Sequence, residues 1–277
     1  MTWLILGGDL RSYMLAREAA AAGHSVTTVG LPEAVGVKST TAAEATGARI
    51  VALPLPVAEA DGVIPTPLTG APLPLSSVEH LLRRKVWGGR AGPALTSALQ
   101  RSGAVLIDPN DSETYAIPNA ALSAEGAIVS ALARYPGSAA GANALIVGYG
   151  RIGRVLARLI SRWDARVCVC ARDPVARAWA QADGHQTADM DALAQKASLC
   201  DILFQTAPAP LVDKTVIAGM RPGTLVSDLT RCGVNIEAAE ERGLIAWRDG
   251  GIPGKYAPEA AAKILYEELL RGDSSDS

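Results

Sequence analysis

The chain has 277 residues, room for one large α/β domain or two medium ones, and its 49% hydrophobic and 19% charged residues supply a core and exclude a disordered chain. A net charge of −2 gives no basic field for nucleic acid, and no apolar run reaches the roughly 18–20 residues that span a bilayer. The four cysteines are too few for a disulfide scaffold and the start lacks the basic and apolar regions of a secretory leader, so a cytoplasmic protein with neither nucleic acid nor membrane as partner is expected.

Short apolar and β-branched runs alternate with alanine-rich stretches, the pattern of parallel α/β folds. In the first half, Trp3–Leu6, Ser25–Val29, Arg49–Leu53 and Val105–Asp108 read as strands. Leu10–Ala22, Val78–Arg84 and Pro93–Arg101 read as helices between them. The proline-rich stretch from Leu53 to Leu75 reads as a long surface loop. Asn119–Arg134 reads as a long helix, after which Pro136-Gly137-Ser138 punctuates the chain. The rhythm then restarts. Ala144–Val147, Arg166–Cys170, Ile202–Thr206, Thr224–Asp228 and Ile245–Trp247 are predicted strands. Arg151–Arg162, Val175–Ala182, Met190–Ala197, Ile236–Glu241 and Pro258–Leu270 are predicted helices, and Gly272–Ser277 is a polar tail expected to fray. The predicted fold is α/β, with two Rossmann-like doubly wound parallel-sheet domains joined by a long helix. Residues 1–134 would form a substrate and catalytic domain. Residues 135–277 would form a nucleotide-binding domain whose last helix packs back on the first. One large domain is the alternative that length allows.

Gly148-Tyr149-Gly150-Arg151-Ile152-Gly153 follows an apolar strand and opens an amphipathic helix. That is the context in which a GxGxxG run binds a dinucleotide. Gly148 permits the tight turn, Gly150 lets a pyrophosphate approach the backbone, and Gly153 lets helix and strand pack closely, while the helix N-terminus offers free N–H groups. At the end of the next strand stands Cys170-Ala171-Arg172-Asp173. Arg172 can pair with a 2′-phosphate, with Arg151 as helper, which favours NADP; Asp173, one residue later, keeps NAD possible. Thr206-Ala207-Pro208 and Asp228-Leu229-Thr230-Arg231 end further strands on the same sheet edge, the first expected beside the nicotinamide ribose. The N-terminal turn, Gly7-Gly8-Asp9-Leu10-Arg11, resembles a second nucleotide turn with the wrong chemistry. Asp9 would face the phosphates, so an organic substrate suits it better, with Arg11 a candidate carboxylate clamp.

The three histidines, His24, His80 and His185, offer no catalytic base: His24 and His185 read as structural and neither lies at a strand C-terminus. Asp249-Gly250-Gly251-Ile252-Pro253-Gly254 contains no histidine where two-domain 2-hydroxy-acid dehydrogenases present one. Cys168 and Cys170 share a strand face and read as packing rather than metal ligands, since no matching pair accompanies them. No metal is expected.

Several of these runs together resemble the family of dipicolinate synthase A subunits from endospore-forming bacteria. They are Gly7-Gly8-Asp9-x-Arg11, the Asn119 to Glu125-Gly126 stretch, Gly148-x-Gly150-Arg151-x-Gly153, Ala171-Arg172, Thr206-x-Pro208, Asp228-Leu229, and Gly251-Ile252-Pro253-Gly254-Lys255-Tyr256-Ala257-Pro258 leading into the last helix. The resemblance implies a sporulation oxidoreductase that oxidises dihydrodipicolinate to dipicolinate with NADP, working with a flavoprotein-like B subunit. It suggests Arg11 and Arg231 for the two substrate carboxylates and Glu125 as acid or base. Asn119, Ser123 and Gly254 are further substrate-site expectations, and a homo-oligomer is expected. The alternatives are another two-domain NAD(P)-dependent hydroxy- or amino-acid dehydrogenase, or a non-catalytic NADP-sensing module.

Overall fold

The computed structural model describes residues 1–57, 62–230 and 232–274. The chain runs β1 (Thr2–Leu6), α1 (Leu10–Ala21), β2 (Ser25–Val29), β3 (Val37–Thr40), β4 (Ile50–Ala52), β5 (Val63–Ile64), β6 (Leu73–Pro74), α2 (Leu75–Val78), β7 (Lys85–Trp87), α3 (Pro93–Ser102), β8 (Val105–Ile107) and α4 (Glu113–Leu132). It continues through β9 (Asn143–Val147), α5 (Arg151–Ser161), β10 (Arg166–Cys170), α6 (Pro174–Ala182), β11 (Gln186–Ala188), α7 (Leu193–Ala197) and β12 (Ile202–Gln205). It ends with α8 (Lys214–Ala218), β13 (Leu225–Asp228), α9 (Ile236–Glu241), β14 (Ile245–Arg248), α10 (Ile252–Tyr256) and α11 (Pro258–Ser274). Among the described residues no helix is long and apolar enough to cross a membrane.

Two six-stranded parallel sheets result, ordered β3-β2-β1-β4-β7-β8 and β11-β10-β9-β12-β13-β14. Each is a doubly wound sheet whose strand order reverses beside its first strand, β1 or β9, where such folds bind ligands. The fold class is therefore α/β with two Rossmann-like sheets. The chain divides into two compact units. The first comprises residues 1–119 and 253–277, the second residues 120–252, and the division falls within α4.

Each unit has its own core. In the first, Trp3, Ile5 and Leu15 pack with Ala262, Leu265 and Leu269 of α11, while Leu4, Leu6 and Val51 pack with Val78, Leu95 and Leu99 on the other face of the sheet. Alternate residues of β1 thus supply both faces, as a buried strand requires. His24 belongs to this packing. Its ring stacks with Trp3 at 5.7 Å and its Nε2 lies 3.0 Å from the Tyr266 hydroxyl of α11. In the second unit, Ile146, Phe204 and Leu156 pack on one side of the sheet and Val147, Leu203 and Val226 on the other.

Several elements differ from the sequence reading. The stretch from Leu53 to Leu75 is a surface loop only in part. Residues 67–72 are exposed, whereas Leu53, Leu55, Val57, Ile64, Leu73 and Leu75 are buried and β5 and β6 pair antiparallel; residues 58–61 lie outside the described residues. The predicted helix Val78–Arg84 is cut to α2 and a 3₁₀ turn at Glu79–Leu81. Arg84 takes a positive φ of 56° and β7 starts at Lys85, where Val86 and Trp87 gain pairing with β4 and β8. Helix α4 starts at Glu113 and carries Pro118 inside it rather than starting after that proline. Strands β3, β7 and β11 escape a hydrophobicity reading because each carries only one or two apolar residues. The tail continues α11 as far as Ser274.

Candidate functional site

In the second unit the glycine turn joins β9 to α5. Gly148 has φ +97°, and a Cβ there would meet Thr206 Oγ1 at 2.8 Å. A Cβ on Gly153 would collide with the Gly148 carbonyl oxygen, so helix and turn touch only because that residue is glycine. Gly150 differs, since a Cβ there would meet nothing within 4 Å. Gly150 is also the N-cap of α5 and supplies no side-chain cap. Open space therefore stands before an eleven-residue helix whose first N–H groups lack a side-chain acceptor, the cradle that a dinucleotide pyrophosphate fits. Arg151, exposed, opens the helix and Ile152 is half-buried behind it.

Next to this turn, Arg172 is exposed at the end of β10. Asp173 is already engaged: it caps α6 and its carboxylate accepts from the Val175 N–H at 2.9 Å. The Arg177 guanidinium holds the same loop from beneath, donating to the carbonyls of Ala171 at 2.6 Å and Arg172 at 2.8 Å.

The loop after β12 is held with equal care. The Thr206 hydroxyl donates to the Val147 carbonyl at 2.9 Å and locks the loop to the end of β9. Gln205, fully buried, donates from Nε2 to the carbonyls of Ala207 at 2.8 Å and Ala209 at 3.0 Å, which leaves Pro208 exposed at the tip. Asp228, also fully buried, accepts from Thr230 N–H at 2.9 Å, Thr230 Oγ1 at 2.6 Å and Val234 N–H at 3.2 Å. Arg231 lies outside the described residues.

The sequence reading did not single out Gln205 or Tyr149. A glutamine ending an otherwise apolar strand was the available signal for the first. The Tyr149 ring, inside the glycine motif, is buried, and its hydroxyl donates to Asp183 Oδ2 at 2.6 Å. Burial, then the Asp183 carboxylate, raise its pKa above the ordinary phenol range.

The first unit links two of its expected site residues, Arg11 and Asn119, through one that was not expected, Tyr115. The Arg11 guanidinium is buried and donates to the Leu55 carbonyl and, at 3.4 Å, to the Tyr115 hydroxyl, which in turn donates to Asn119 Oδ1 at 3.4 Å. Burial raises the Tyr115 pKa, countered by Arg11. Asp9 caps α1 by accepting from the Arg11 N–H at 3.0 Å, and its other carboxylate oxygen lies where a Cβ on Gly254 would stand. The Gly7-Gly8 turn is roofed from within. Gly8 N–H donates to the Pro65 carbonyl at 2.7 Å, and a Cβ on Gly7 would meet Ile64 and Pro65 at 2.7 Å. The β5–β6 segment thus fills the approach that a pyrophosphate would need. In the second unit Ser123 is buried on α4 and Glu125 is exposed on the same helix.

Comparison with known proteins fits both halves. Residues 2–109 match the N-terminal domain of the dipicolinate synthase A subunit, and residues 123–245 match the NAD binding domain of S-adenosyl-L-homocysteine hydrolase. The dipicolinate synthase A subunit of Bacillus subtilis (strain 168) is 27% identical over 227 residues, covering 80% of this chain and 76% of the relative. The crystal structure of the dipicolinate synthase A subunit from Bacillus halodurans superposes with a TM-score of 0.89 at 26% identity, covering 99% of this chain and 97% of the other. The chain is thus similar to dipicolinate synthase A subunits along nearly its whole length. The crystal structure of the same synthase component from Bacillus subtilis shares the fold, with a TM-score of 0.86 at 23% identity over 100% of this chain and 98% of that one. The first unit carries the match to the N-terminal domain of the dipicolinate synthase A subunit, and the second contains an NAD(P)-binding Rossmann domain.

Proposed function

We propose that the protein is the NADP-dependent A subunit of a dipicolinate synthase, oxidising dihydrodipicolinate to dipicolinate. The similarity to dipicolinate synthase A subunits supports the substrate. The observation that carries the cofactor assignment is the β10 end, where Asp173 caps α6 through one carboxylate oxygen and Arg172 is exposed. Asp173 is one residue late for a ribose ligand, while Arg172, a cation that suits a 2′-phosphate, stands beside the ribose position.

Bound nicotinamide supplies a two-electron hydride acceptor. The oxidation removes one hydride and one proton from the dihydropyridine, and the ring becomes aromatic, so the chain's task is chiefly positioning. Gly150 and the open N-terminus of α5 receive the pyrophosphate, with Arg151 and Arg172 on the 2′-phosphate. The loop Thr206-Ala207-Pro208, braced by Gln205, borders the nicotinamide ribose. Arg11 and Arg231 are the proposed cationic partners of the substrate carboxylates, and Glu125 the proposed proton acceptor. A flavoprotein-like B subunit is the proposed partner.

Arg172→Asp tests the cofactor assignment. A charge-assisted hydrogen bond contributes about 1.5–3 kcal/mol, so NADP affinity should fall roughly ten- to hundredfold while NAD affinity rises. Calorimetric titration of both nucleotides into wild type and variant gives the ratio, and an unchanged ratio overturns the assignment. Mixing the purified chain with its B subunit tests the partner: dihydrodipicolinate turnover should depend on the mixture, and full turnover by the isolated chain would contradict it.

A further inference from the structure

Helix α5 carries a pattern that cofactor binding does not use. Arg151 opens the helix beside the glycine turn, but Arg154, Arg158 and Arg162 follow at four-residue spacing, all exposed, with no acidic residue between Arg151 and Arg162. Residues at that spacing form one stripe. The stripe has an aromatic flank. The Arg154 guanidinium lies 5.2 Å from the Trp179 ring centroid and 5.6 Å from that of Tyr149. Trp179 is 55% exposed, and Val175, on the same helix α6, is 60% exposed. Of the nearby carboxylates, Asp183 is engaged by the Tyr149 hydroxyl, and Asp164 lies two residues beyond the C-terminal end of the stripe.

Tryptophan, tyrosine and arginine are the residue types that dominate protein interfaces, an apolar centre beside charged groups being their usual anatomy. The sign of the charge selects the occupant. A second copy packing this face on itself about a twofold axis would set arginines against arginines, which costs free energy. A nucleic acid is disfavoured by the net charge of −2 and by the length of the stripe, about 12 Å from Arg154 to Arg162 at 1.5 Å per residue, too short to follow a backbone over many phosphates. We infer that the Arg154–Arg158–Arg162 stripe and Trp179 form the docking surface for an acidic face of a different protein, the second component of the two-component synthase reading on which this inference rests. Because Arg154 also packs on Tyr149, inside the glycine motif, the docked partner would touch the backing of the dinucleotide turn.

The experiment is a titration of the purified B subunit into the full chain, followed by sedimentation or calorimetry, for wild type, Arg158→Glu, Arg162→Glu and Trp179→Ser. Each variant should lose roughly tenfold or more in affinity for the B subunit, and the wild-type affinity should fall as salt is added. NADP affinity of the isolated variants should stay at the wild-type value and serves as the control for folding. Equal affinity of all four chains for the B subunit overturns the surface while the two-component reading stands. Failure of wild type to form a complex at all overturns both. Binding of a short single-stranded oligonucleotide with the same dependence on the three variants overturns the acidic-protein assignment in favour of a nucleic acid.

Discussion

Gly150 and Gly153 lie three residues apart in one motif, yet a methyl group meets open space at the first and the Gly148 carbonyl at the second. Gly153→Ala forces the helix away from the turn, and overpacking of this kind costs about 1–3 kcal/mol, a drop of several degrees in Tm for a chain of this size. Gly150→Ala loses only the preference for glycine over alanine at an N-cap, below about 1 kcal/mol, but it fills the space in front of the helix N–H groups. Its Tm should therefore stay close to wild type while dinucleotide affinity falls about tenfold or more. Thermal melts and cofactor titrations of the two variants separate these effects, and a Gly150→Ala chain that binds NADP normally would show that no phosphate approaches there. At this scale the sequence was legible for the glycines, whose tasks are set by backbone geometry. It was not legible for Asp173, because whether a carboxylate reaches a ribose or caps its own helix depends on a turn of the chain that residue type does not reveal.

Among the elements, the strands of the second unit were legible because a buried parallel strand needs an unbroken apolar run: Arg166–Cys170 carries two valines and two cysteines, and Ile202–Gln205 three apolar residues. The elements that misled were those in which tertiary pairing overrode local preference, as at Val78–Arg84, where helix-forming residues yield to a strand beginning at Lys85. Burial within these elements also makes a pH prediction. The thiols of Cys170, in β10, and Cys200, just before β12, are both pushed up to about 12 by desolvation. In the unfolded chain they lose their protons near the ordinary thiol value of 9.0. The folded state thus holds more protons through that window, and stability should fall as the pH rises from about 9 to about 12, with a slope near 1.4 kcal/mol per pH unit for each thiol. Cys200→Ala should remove one such contribution. Urea unfolding at intervals across the alkaline range measures the slope, and an identical slope in wild type and variant would show that Cys200 ionises alike in both states.

On the scale of the whole chain, the two units do not divide the sequence into two consecutive halves. Residues 253–277 return to the first unit, where Ala262, Leu265 and Leu269 of α11 are buried among Trp3, Ile5 and Leu15. Tyr266 lies over Trp3 at 5.5 Å, and buried Glu268 accepts from the Thr114 hydroxyl at 2.9 Å. A fragment of residues 1–119 would lack this cover over one face of its sheet. Exposing the partners of two leucines and an alanine, at roughly 1.5–3 kcal/mol for each large side chain, removes a large part of the 5–15 kcal/mol by which a domain is stable. The second unit lacks no such piece, since its core residues, from Ala124 to Ile252, all lie in one continuous segment. Residues 120–252 expressed alone should therefore fold cooperatively and bind NADP with an affinity near that of the full chain. Residues 1–119 should unfold or aggregate unless residues 253–277 are joined to them, for example by a short glycine-serine linker in place of the second unit. Circular dichroism melts of the three fragments and cofactor titration of the second supply the measurements. A cooperative melt of residues 1–119 without α11 would mean that the C-terminal helix only covers an already stable sheet. Loss of NADP binding by residues 120–252, despite a cooperative melt, would mean that the first unit contributes to the dinucleotide site.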